Sequence, residues 1–160
     1  MTAEAALSFR AVMGRFATGV TVVTATGERG PVGMTANAVC SLSLDPLLVL
    51  VCFDNGARTL EVVRDTGRFG VNVLAAGQEA LAQRFAVKAP DDDKFAGVVH
   101  HGHDGIPVLD GVHAWMACRL EDLMPGGDHT IGIGAPTAIE AGGGEPLLWY
   151  RGAYGRFAGP

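Results

Sequence analysis

The sequence lacks the long apolar runs and basic stretches that mark membrane and nucleic-acid-binding proteins. Its longest apolar run covers only residues 47–53, whereas about 20 residues are needed to cross a bilayer. The 12 Lys and Arg residues are scattered singly in a chain of net charge −5. No basic stripe is therefore available for the phosphates of a nucleic acid or for anionic lipid. We expect neither a nucleic acid nor a membrane among the partners of this protein.

Cysteine is scarce and shows no paired spacing. Cys40, Cys52 and Cys118 are far apart, and no CxxC sequence occurs, which argues against a zinc site or a redox dithiol. All three lie in apolar, strand-like surroundings, which predicts buried, reduced thiols. The first residues also lack the basic segment and apolar run of a signal peptide. The expected location is the cytoplasm.

Common nucleotide-binding and catalytic motifs are missing as well. The sequence contains no GxGxxG after a strand, no Walker A motif, no GxSxG and no HExxH, so a Rossmann-type dinucleotide site is not predicted. A bound nucleotide would need side-chain hydroxyls, isolated cations and loop amides for its phosphates. His100, His101 and His103 lie in a Gly-rich loop without a second ligand cluster, and we predict no metal site there.

What the sequence does contain is typical of one β-rich globular domain. A chain of 160 residues, 48% hydrophobic and with 23 Gly, fits a single domain over residues 1–160 with many turns. Strands follow one another without strict β-α-β alternation, which favours a small antiparallel barrel of six or seven strands with about three helices. Strands are predicted at residues 20–26, 32–43, 47–53, 69–74, 112–124, 129–141 and from 147.

The three helices are predicted from their caps and apolar spacing. Ser8 is a candidate N-cap for the first helix, Asn55 for the second, and the third is expected at residues 78–85. Residues 87–110 are polar and turn-rich and are expected to form a long loop. The first helix carries one apolar stripe. The residues of that stripe are Phe9, Val12, Met13 and Phe16.

The most informative stretch is residues 33–46, which alternates polar and apolar residues. Alternation along an extended segment places its polar side chains on one face. A flavin ring needs such a surface, with an apolar platform and donors and acceptors at its edge. A half-exposed strand with a polar solvent face has the same pattern. The polar residues are Thr35, Asn37, Ser41 and Ser43.

Two further positions allow a functional and a structural interpretation. Arg58 and Thr59 open a helix after the central strand, and helix amides with a guanidinium and a hydroxyl suit a phosphate. The same pattern fits an ordinary helix start with a surface arginine. His129 lies at a predicted hairpin, where it could hold a nicotinamide or move a proton, or be a surface turn residue.

Considered together, these segments resemble the short-chain flavin reductases, the reductase components of two-component flavin-dependent monooxygenases. The resemblance includes Lys94-Phe95 and Gly127-Asp128-His129 and covers nearly the whole chain in the family's order. It implies a mainly β fold with a few helices, a six-stranded antiparallel Greek-key split β-barrel of the FMN-binding type, that forms a homodimer. The matching segments are residues 9–24, 33–46, 69–74, 78–86, 94–95, 127–134 and 146–154.

The resemblance also implies the residues of the site. His129 would be the catalytic residue, facing the nicotinamide, and Ala57 stands where a serine is common. The other implied cofactor-binding residues fall into four groups. They are Thr35, Ala36, Asn37, Ser41 and Leu42 at the isoalloxazine; Cys52 and Asn55 at the ribityl chain; Ala57, Arg58, Thr59, Phe85 and Lys88 at the phosphate or adenine; and Tyr154, Arg15 and Thr18 at the nicotinamide.

The activity implied by the resemblance is NAD(P)H:flavin oxidoreductase. FMN or FAD would be reduced by hydride transfer from NADH or NADPH, and the reduced flavin would pass, by diffusion, to a partner monooxygenase. Two alternatives remain open at this point. One is a flavin-dependent reductase of another acceptor such as a corrin, and the other is a flavin-binding module without turnover.

Overall fold

The computed structural model describes residues 2–87 and 94–157, and in these ranges the chain is mainly β with three helices. This confirms the prediction of a mainly β fold with a few helices. The helices are α1 (Ala3–Met13), α2 (Arg58–Thr66) and α3 (Glu79–Ala86). The strands are β1 (Thr18–Gly19), β2 (Thr21–Gly27), β3 (Gly30–Ala36), β4 (Val39–Leu44), β5 (Leu47–Asp54), β6 (Arg68–Val73), β7 (His100–His103), β8 (Ile106–Leu109), β9 (Ala114–Gly126), β10 (His129–Ala141), β11 (Leu147–Tyr150) and β12 (Ala153–Arg156).

Seven antiparallel strands form the main sheet, in the order β3-β2-β6-β9-β10-β5-β4. The resemblance implied six. β3 and β4 lie at opposite edges of this sheet, yet only Asn37 and Ala38 connect them. Two residues span roughly 10 Å between their flanking Cα atoms at most, so the sheet must curl until its edges nearly meet. Within the described ranges no strand pairing joins the two edges, so the curled sheet stays open.

The single strand predicted over residues 32–43 is therefore wrong. Its two halves are β3 and β4, which pair with β2 and β5 respectively. A local pattern shows that both halves are extended, but the partner of each half depends on distant strands. Counting them as one strand accounts for one of the strands missing from the prediction; the others are the short strands β1, β7, β8 and β12.

The core inside the curl depends on very close approach between aromatic rings and glycines. Phe53 and Phe69 meet edge to face with ring centroids 5.8 Å apart, and both are fully buried. A Cβ added at Gly132 would lie 2.6 Å from the Phe53 ring, and one at Gly134 would collide with the Phe69 ring. The two β10 glycines thus make room for the two rings.

A second apolar cluster holds α3 and the small sheet β1-β11-β12 against β2 and against Leu74, which follows β6. Phe85 packs edge to face on Phe95 with centroids 5.0 Å apart. The Thr35 hydroxyl of β3 donates to the Ala82 carbonyl of α3 at 2.6 Å. These contacts fix the C-terminal end of α3 beside β3, where the candidate site lies.

Several predicted element boundaries need correction. α1 begins at Ala3, and its N-cap is Thr2, whose hydroxyl accepts from the Ala5 amide at 3.3 Å, rather than Ser8. α2 begins at Arg58 after Ala57, not after Asn55. The predicted loop at 87–110 contains the hairpin β7–β8. The polar sequence of β7 concealed this hairpin, although all four residues of β8 are buried.

No residue of α1 is buried. Of the predicted apolar stripe, Phe9, Val12 and Met13 lie on α1, but the helix ends at Met13 and Phe16 follows it. These four side chains are 50–70% exposed, and no element in the described part of the chain covers them. Within residues 2–87 and 94–157, none of the helices is both long and apolar enough to cross a membrane.

Candidate functional site

A cavity of about 500 Å³ opens where the chain crosses from β3 to β4. Its wall is formed by β3, the end of β5, the start of α2, the end of α3 and the start of β10. Nine residues predicted from the sequence lie together around it, although they come from five separate segments. They are Thr35, Ala36, Asn37, Cys52, Ala57, Arg58, Thr59, Phe85 and His129.

The β3 side of the cavity is held by hydrogen bonds that point away from it. The Thr35 hydroxyl donates to Ala82 on α3, and the Asn37 side-chain amide donates to the Thr18 hydroxyl at 3.3 Å. The Thr35 hydroxyl proton and one N–H of the Asn37 amide are therefore already used within the protein. Thr18 acts on the cavity through Asn37 and does not line it.

The start of α2 forms the anion-attracting side of the cavity. Its N-cap is Ala57, which has no side-chain group to satisfy the first-turn amides. The amides of a helix N-terminus attract anions, and Arg58 adds a guanidinium to the same wall. The preceding turn is fixed because the Gly56 amide donates to the Asp54 carboxylate at 2.7 Å.

A second cation on this cavity, Lys94, was not predicted. In the sequence it falls within residues 87–110, which were expected to form a long polar loop. It is instead only 9% exposed, and its ammonium donates to the Gly33 carbonyl at 3.3 Å while lining the cavity. The adjoining Phe95 is also buried. A hydrophobic residue after a charged run was the one signal that this lysine turns inward.

His129 lies at the rim of the cavity, opposite Asp54 on the neighbouring strand. Its Nδ1 donates to the Asp128 carboxylate at 2.8 Å, and this hydrogen bond, with the nearby imidazole charge, lowers the pKa of Asp128. The bond leaves Nε2 as the ring nitrogen for another partner. Asp128 is 95% exposed, so water screens the pair strongly.

Asn55 does not lie on the cavity wall. It was predicted to lie beside the ribityl chain, but its side chain bridges to the hairpin that carries His129. Its amide nitrogen donates to the Gly127 carbonyl at 3.1 Å, and its side-chain oxygen accepts from the Thr130 hydroxyl at 2.7 Å. Asn55 thus connects the end of β5 to the tip of β9–β10.

The remaining predicted residues lie around the cavity or away from it. Ser41 and Thr18 line a second, largely apolar cavity of about 520 Å³, and Tyr154 lines a third of about 220 Å³. Asn37 lines all three cavities, so they meet at this residue. Leu42 and Arg15 line none of the three. Lys88 lies outside the described residues.

The third cavity has an aromatic wall. Trp149 and Tyr154 pack with ring centroids 4.9 Å apart, and Thr35 belongs to both this cavity and the first. Burial, followed by the charge of Glu79, raises the pKa of Tyr154. The aromatic pair is thus next to the main cavity but separated from His129, which does not line the third cavity.

The three cysteines differ in environment, although all were predicted to be buried. Cys118 is fully buried in the core, and burial raises its pKa to about 12. Cys52 lies on the cavity wall, and burial followed by the nearby Cys40 raises its pKa. Cys40 is exposed because it lies on the edge strand β4. Among the described residues, no group of three or more His, Cys, Asp or Glu is arranged to hold a metal ion.

Comparison with known proteins gives consistent results over nearly the whole chain. The family described as "Flavin reductase like domain" matches residues 13–158. A Rhizobium meliloti (strain 1021) protein named "Probable flavin reductase" is 44% identical over 96% of this chain, which spans only 50% of that protein. The reductase component of a 4-nitrophenol 4-monooxygenase/4-nitrocatechol 2-monooxygenase from Rhodococcus opacus is 43% identical over 93% of this chain and 80% of its own length.

A solved structure is similar over almost its full length. It is an NADH:FAD oxidoreductase of Streptomyces globisporus in complex with NAD and FAD fragments. The TM-score is 0.91 at 37% identity, covering 99% of this chain and 96% of the other.

Proposed function

Because the chain belongs to the flavin reductase like family, we propose that it is an NAD(P)H-dependent flavin oxidoreductase that reduces FMN or FAD. Its relatives make NADH the favoured donor, since the similar solved structure is named for NADH and FAD. Reduced flavin then passes by diffusion to a partner monooxygenase, as the name of the Rhodococcus opacus relative suggests by describing a reductase component.

The observation that carries this proposal is one cavity with two chemically different ends. The β3 part of its wall has Thr35, Ala36 and Asn37, and the other part has the α2 N-terminus with Arg58. Lys94, bonded to the Gly33 carbonyl of β3, adds a second cation to the lining. Its volume of about 500 Å³ is within the range of small-molecule sites. A flavin nucleotide has the same division into a nearly neutral planar ring and an anionic phosphate.

Each part of the wall has a proposed task. When bound, the flavin supplies the hydride-accepting chemistry. The α2 amides, Arg58 and Thr59 bind its phosphate, and the backbone at Thr35 to Asn37 donates hydrogen bonds to the ring edge. His129 orients the nicotinamide, and Phe85 excludes water from the cavity. Ser41, Leu42, Tyr154, Arg15, Thr18 and Lys88 stay predicted ligands.

The open, curled sheet supports a split β-barrel with Greek-key connections. β3 and β4 form its two free edges, and the flavin cavity lies across the crossing between them. A site placed at such a gap is reachable from solvent, as diffusion of reduced flavin to a partner requires.

The proposal includes a homodimer, because the apolar stripe of α1 adjoins an apolar cavity on the same chain. Phe16 follows α1 and lines the second cavity. Exposed fractions of 49–82% on seven side chains offer on the order of 800 Å² per copy, the area that one partner buries in a standard interface. Two copies can therefore pack this surface against its equivalent about a two-fold axis. The seven are Phe9, Val12, Met13, Phe16, Leu44, Leu47 and Ile139.

A matched pair of substitutions tests the homodimer. Val12 and Val99 are 67% and 68% exposed, but Val99 is outside this surface. Val12→Asp should give a folded monomer by light scattering and circular dichroism, and Val99→Asp should leave the mass unchanged. A native protein that is monomeric at micromolar concentration, or a Val12→Asp variant that stays dimeric, would contradict the proposal.

The activity is tested by mixing the purified protein with NADH or NADPH and FMN or FAD, and following nicotinamide absorbance. We expect rapid NADH oxidation that depends on added flavin. Tight flavin binding without oxidation would favour a binding module. Oxidation only when a corrin is supplied would favour the other acceptor.

A further inference from the structure

The hairpin tip that carries His129 lies against the end of β5. His129 is the cross-strand partner of Asp54, and Asn55 comes directly after that pair. Residues 126–128 around the tip are exposed, and Gly127 has a φ of 77°. An exposed turn of this kind frays readily unless other contacts hold it.

Three hydrogen bonds join Asn55 to this tip. The Asn55 backbone amide donates to the Asp128 carbonyl at 3.2 Å, and its side-chain amide donates to the Gly127 carbonyl at 3.1 Å. The Thr130 hydroxyl donates to the Asn55 side-chain oxygen at 2.7 Å. The bonded residues lie on both sides of His129, so Asn55 holds the backbone before and after this histidine.

We propose that Asn55 and Thr130 are a positioning pair that fixes His129 at the rim of the flavin cavity, and this rests on the proposed function. Both ends of the Asn55 side-chain amide bind the hairpin, since its nitrogen donates to Gly127 and its oxygen accepts from Thr130. The Asp128 contact alone constrains the ring weakly because that carboxylate is 95% exposed. The pair thus sets where the His129 ring meets the nicotinamide.

Small displacements of a positioning group are costly, since about 1 Å of misplacement can reduce a rate by roughly 100-fold. Asn55→Ala removes both side-chain bonds, and Thr130→Val removes one. We expect the KM for NADH to rise roughly tenfold in Asn55→Ala and less in Thr130→Val, with the Kd for FMN within about twofold of native. Thr130→Ser keeps the hydroxyl and should restore native values.

A matched control lies on the same strand. The Thr137 hydroxyl donates to the Ala117 carbonyl at 3.2 Å, and Thr137 does not line the cavity. Thr137→Val should therefore leave the NADH kinetics unchanged while removing a comparable hydrogen bond. A double-mutant cycle with His129→Ala should abolish the effect of Asn55→Ala, because the pair acts through this histidine.

A readout independent of turnover is the NMR signal of the His129 ring in flavin-free protein. We expect Asn55→Ala and Thr130→Val to shift and broaden this signal, and Thr137→Val to leave it as in the native protein. An unchanged signal would overturn the proposal. The proposal would also be overturned if Asn55→Ala raised the KM for NADH equally in native protein and in the His129→Ala variant. An Asn55→Ala variant that lost only FMN affinity would overturn it as well. If the protein oxidises no NADH, the proposed function fails, but the NMR result still decides the positioning.

Discussion

The interior of the curled sheet and the rim of its gap are built in opposite ways. In the interior, Phe53 and Phe69 fill space left by β10 glycines, and the buried Asn72 amide donates to the Val22 carbonyl at 3.1 Å. At the rim, Arg58 and His129 line an open cavity, together with the backbone of β3 and of the α2 N-terminus. Stability therefore depends on packing in one region and binding on charge in the other, so the two can be changed separately.

The largest expected effect is an overpacked interior. Gly132→Ala places a Cβ 2.6 Å from the Phe53 ring, which should lower the free energy of unfolding by about 1–3 kcal/mol. Urea denaturation measures this. Gly143→Ala is the control, because an added Cβ there meets nothing within 4 Å. Equal unfolding midpoints for the two variants would contradict the close packing.

At the rim, Arg58→Ala should weaken FMN binding about 10- to 100-fold, the loss expected for a charge-assisted hydrogen bond. Fluorescence titration measures it. Riboflavin, which has no phosphate, should be bound almost equally by variant and native protein. Arg64→Ala removes an exposed arginine from the last turn of the same helix and is the control. An equal loss of riboflavin affinity would show that Arg58 does not meet the phosphate.

The next expected effect distinguishes NADH binding from flavin binding at the cavity rim. His129→Ala should raise the KM for NADH roughly tenfold, the loss expected for one hydrogen bond, because the ring lines the cavity and its Nε2 is available to a ligand, whereas the phosphate is assigned to Arg58 and the α2 amides. Flavin affinity should change by less than about twofold. Steady-state kinetics beside a flavin titration decide this. Unchanged kinetics with lost flavin binding would reverse the assignment.

The smallest expected effect is a difference in alkylation rate among the three cysteines, of which one is exposed, one lines the cavity and one is buried. Iodoacetamide should label exposed Cys40 first and Cys52 more slowly, and bound FMN should protect Cys52 because it lines the cavity. Cys118 should stay unlabelled in the folded protein, since burial raises its pKa to about 12 and the thiolate is the reactive form. Peptide mass spectrometry after labelling measures all three. Labelling of Cys118 before unfolding would contradict its burial.

The raised pKa of Cys118 also makes the free energy of unfolding depend on pH. The Cys118 thiol ionises in the unfolded chain near its ordinary value of 9.0 but in the folded chain only near 12. The unfolded state therefore loses this proton first as pH rises, and stability falls between these values. Cys118→Ala should reduce that slope, as measured by denaturation at pH 8 and at pH 10.

Much of the site could be predicted from local sequence. Thr35, Asn37 and Arg58 lie on the cavity as expected, because an alternating strand and a helix start are local patterns. The inward turn of Lys94 and the contacts of Asn55 with the hairpin were not predicted, for the opposite reason. Lys94 turns inward through Gly33, 61 residues away, and Asn55 bonds to Gly127, 72 residues away. No local pattern reports partners at such separations.

The order of elements was predictable to a similar extent. The long hairpin of β9 and β10, the buried strand β5 and the last helix were predicted within a few residues. α1 was predicted with its apolar stripe, but the sequence alone did not show that this stripe remains uncovered in the single chain. Periodicity reports that a surface is apolar and does not report what lies against it.

The amino-acid sequence determined most of the extended and helical segments and, through its ordered motifs, the family to which the chain belongs. Those properties follow from neighbours along the chain, through side-chain alternation, caps and turns. Tertiary structure alone decided that β3 and β4 lie on opposite edges of one curled sheet, so that Asn37 lies where three cavities meet. Strand pairing is chosen by burial over the whole sheet, and no local stretch contains that information.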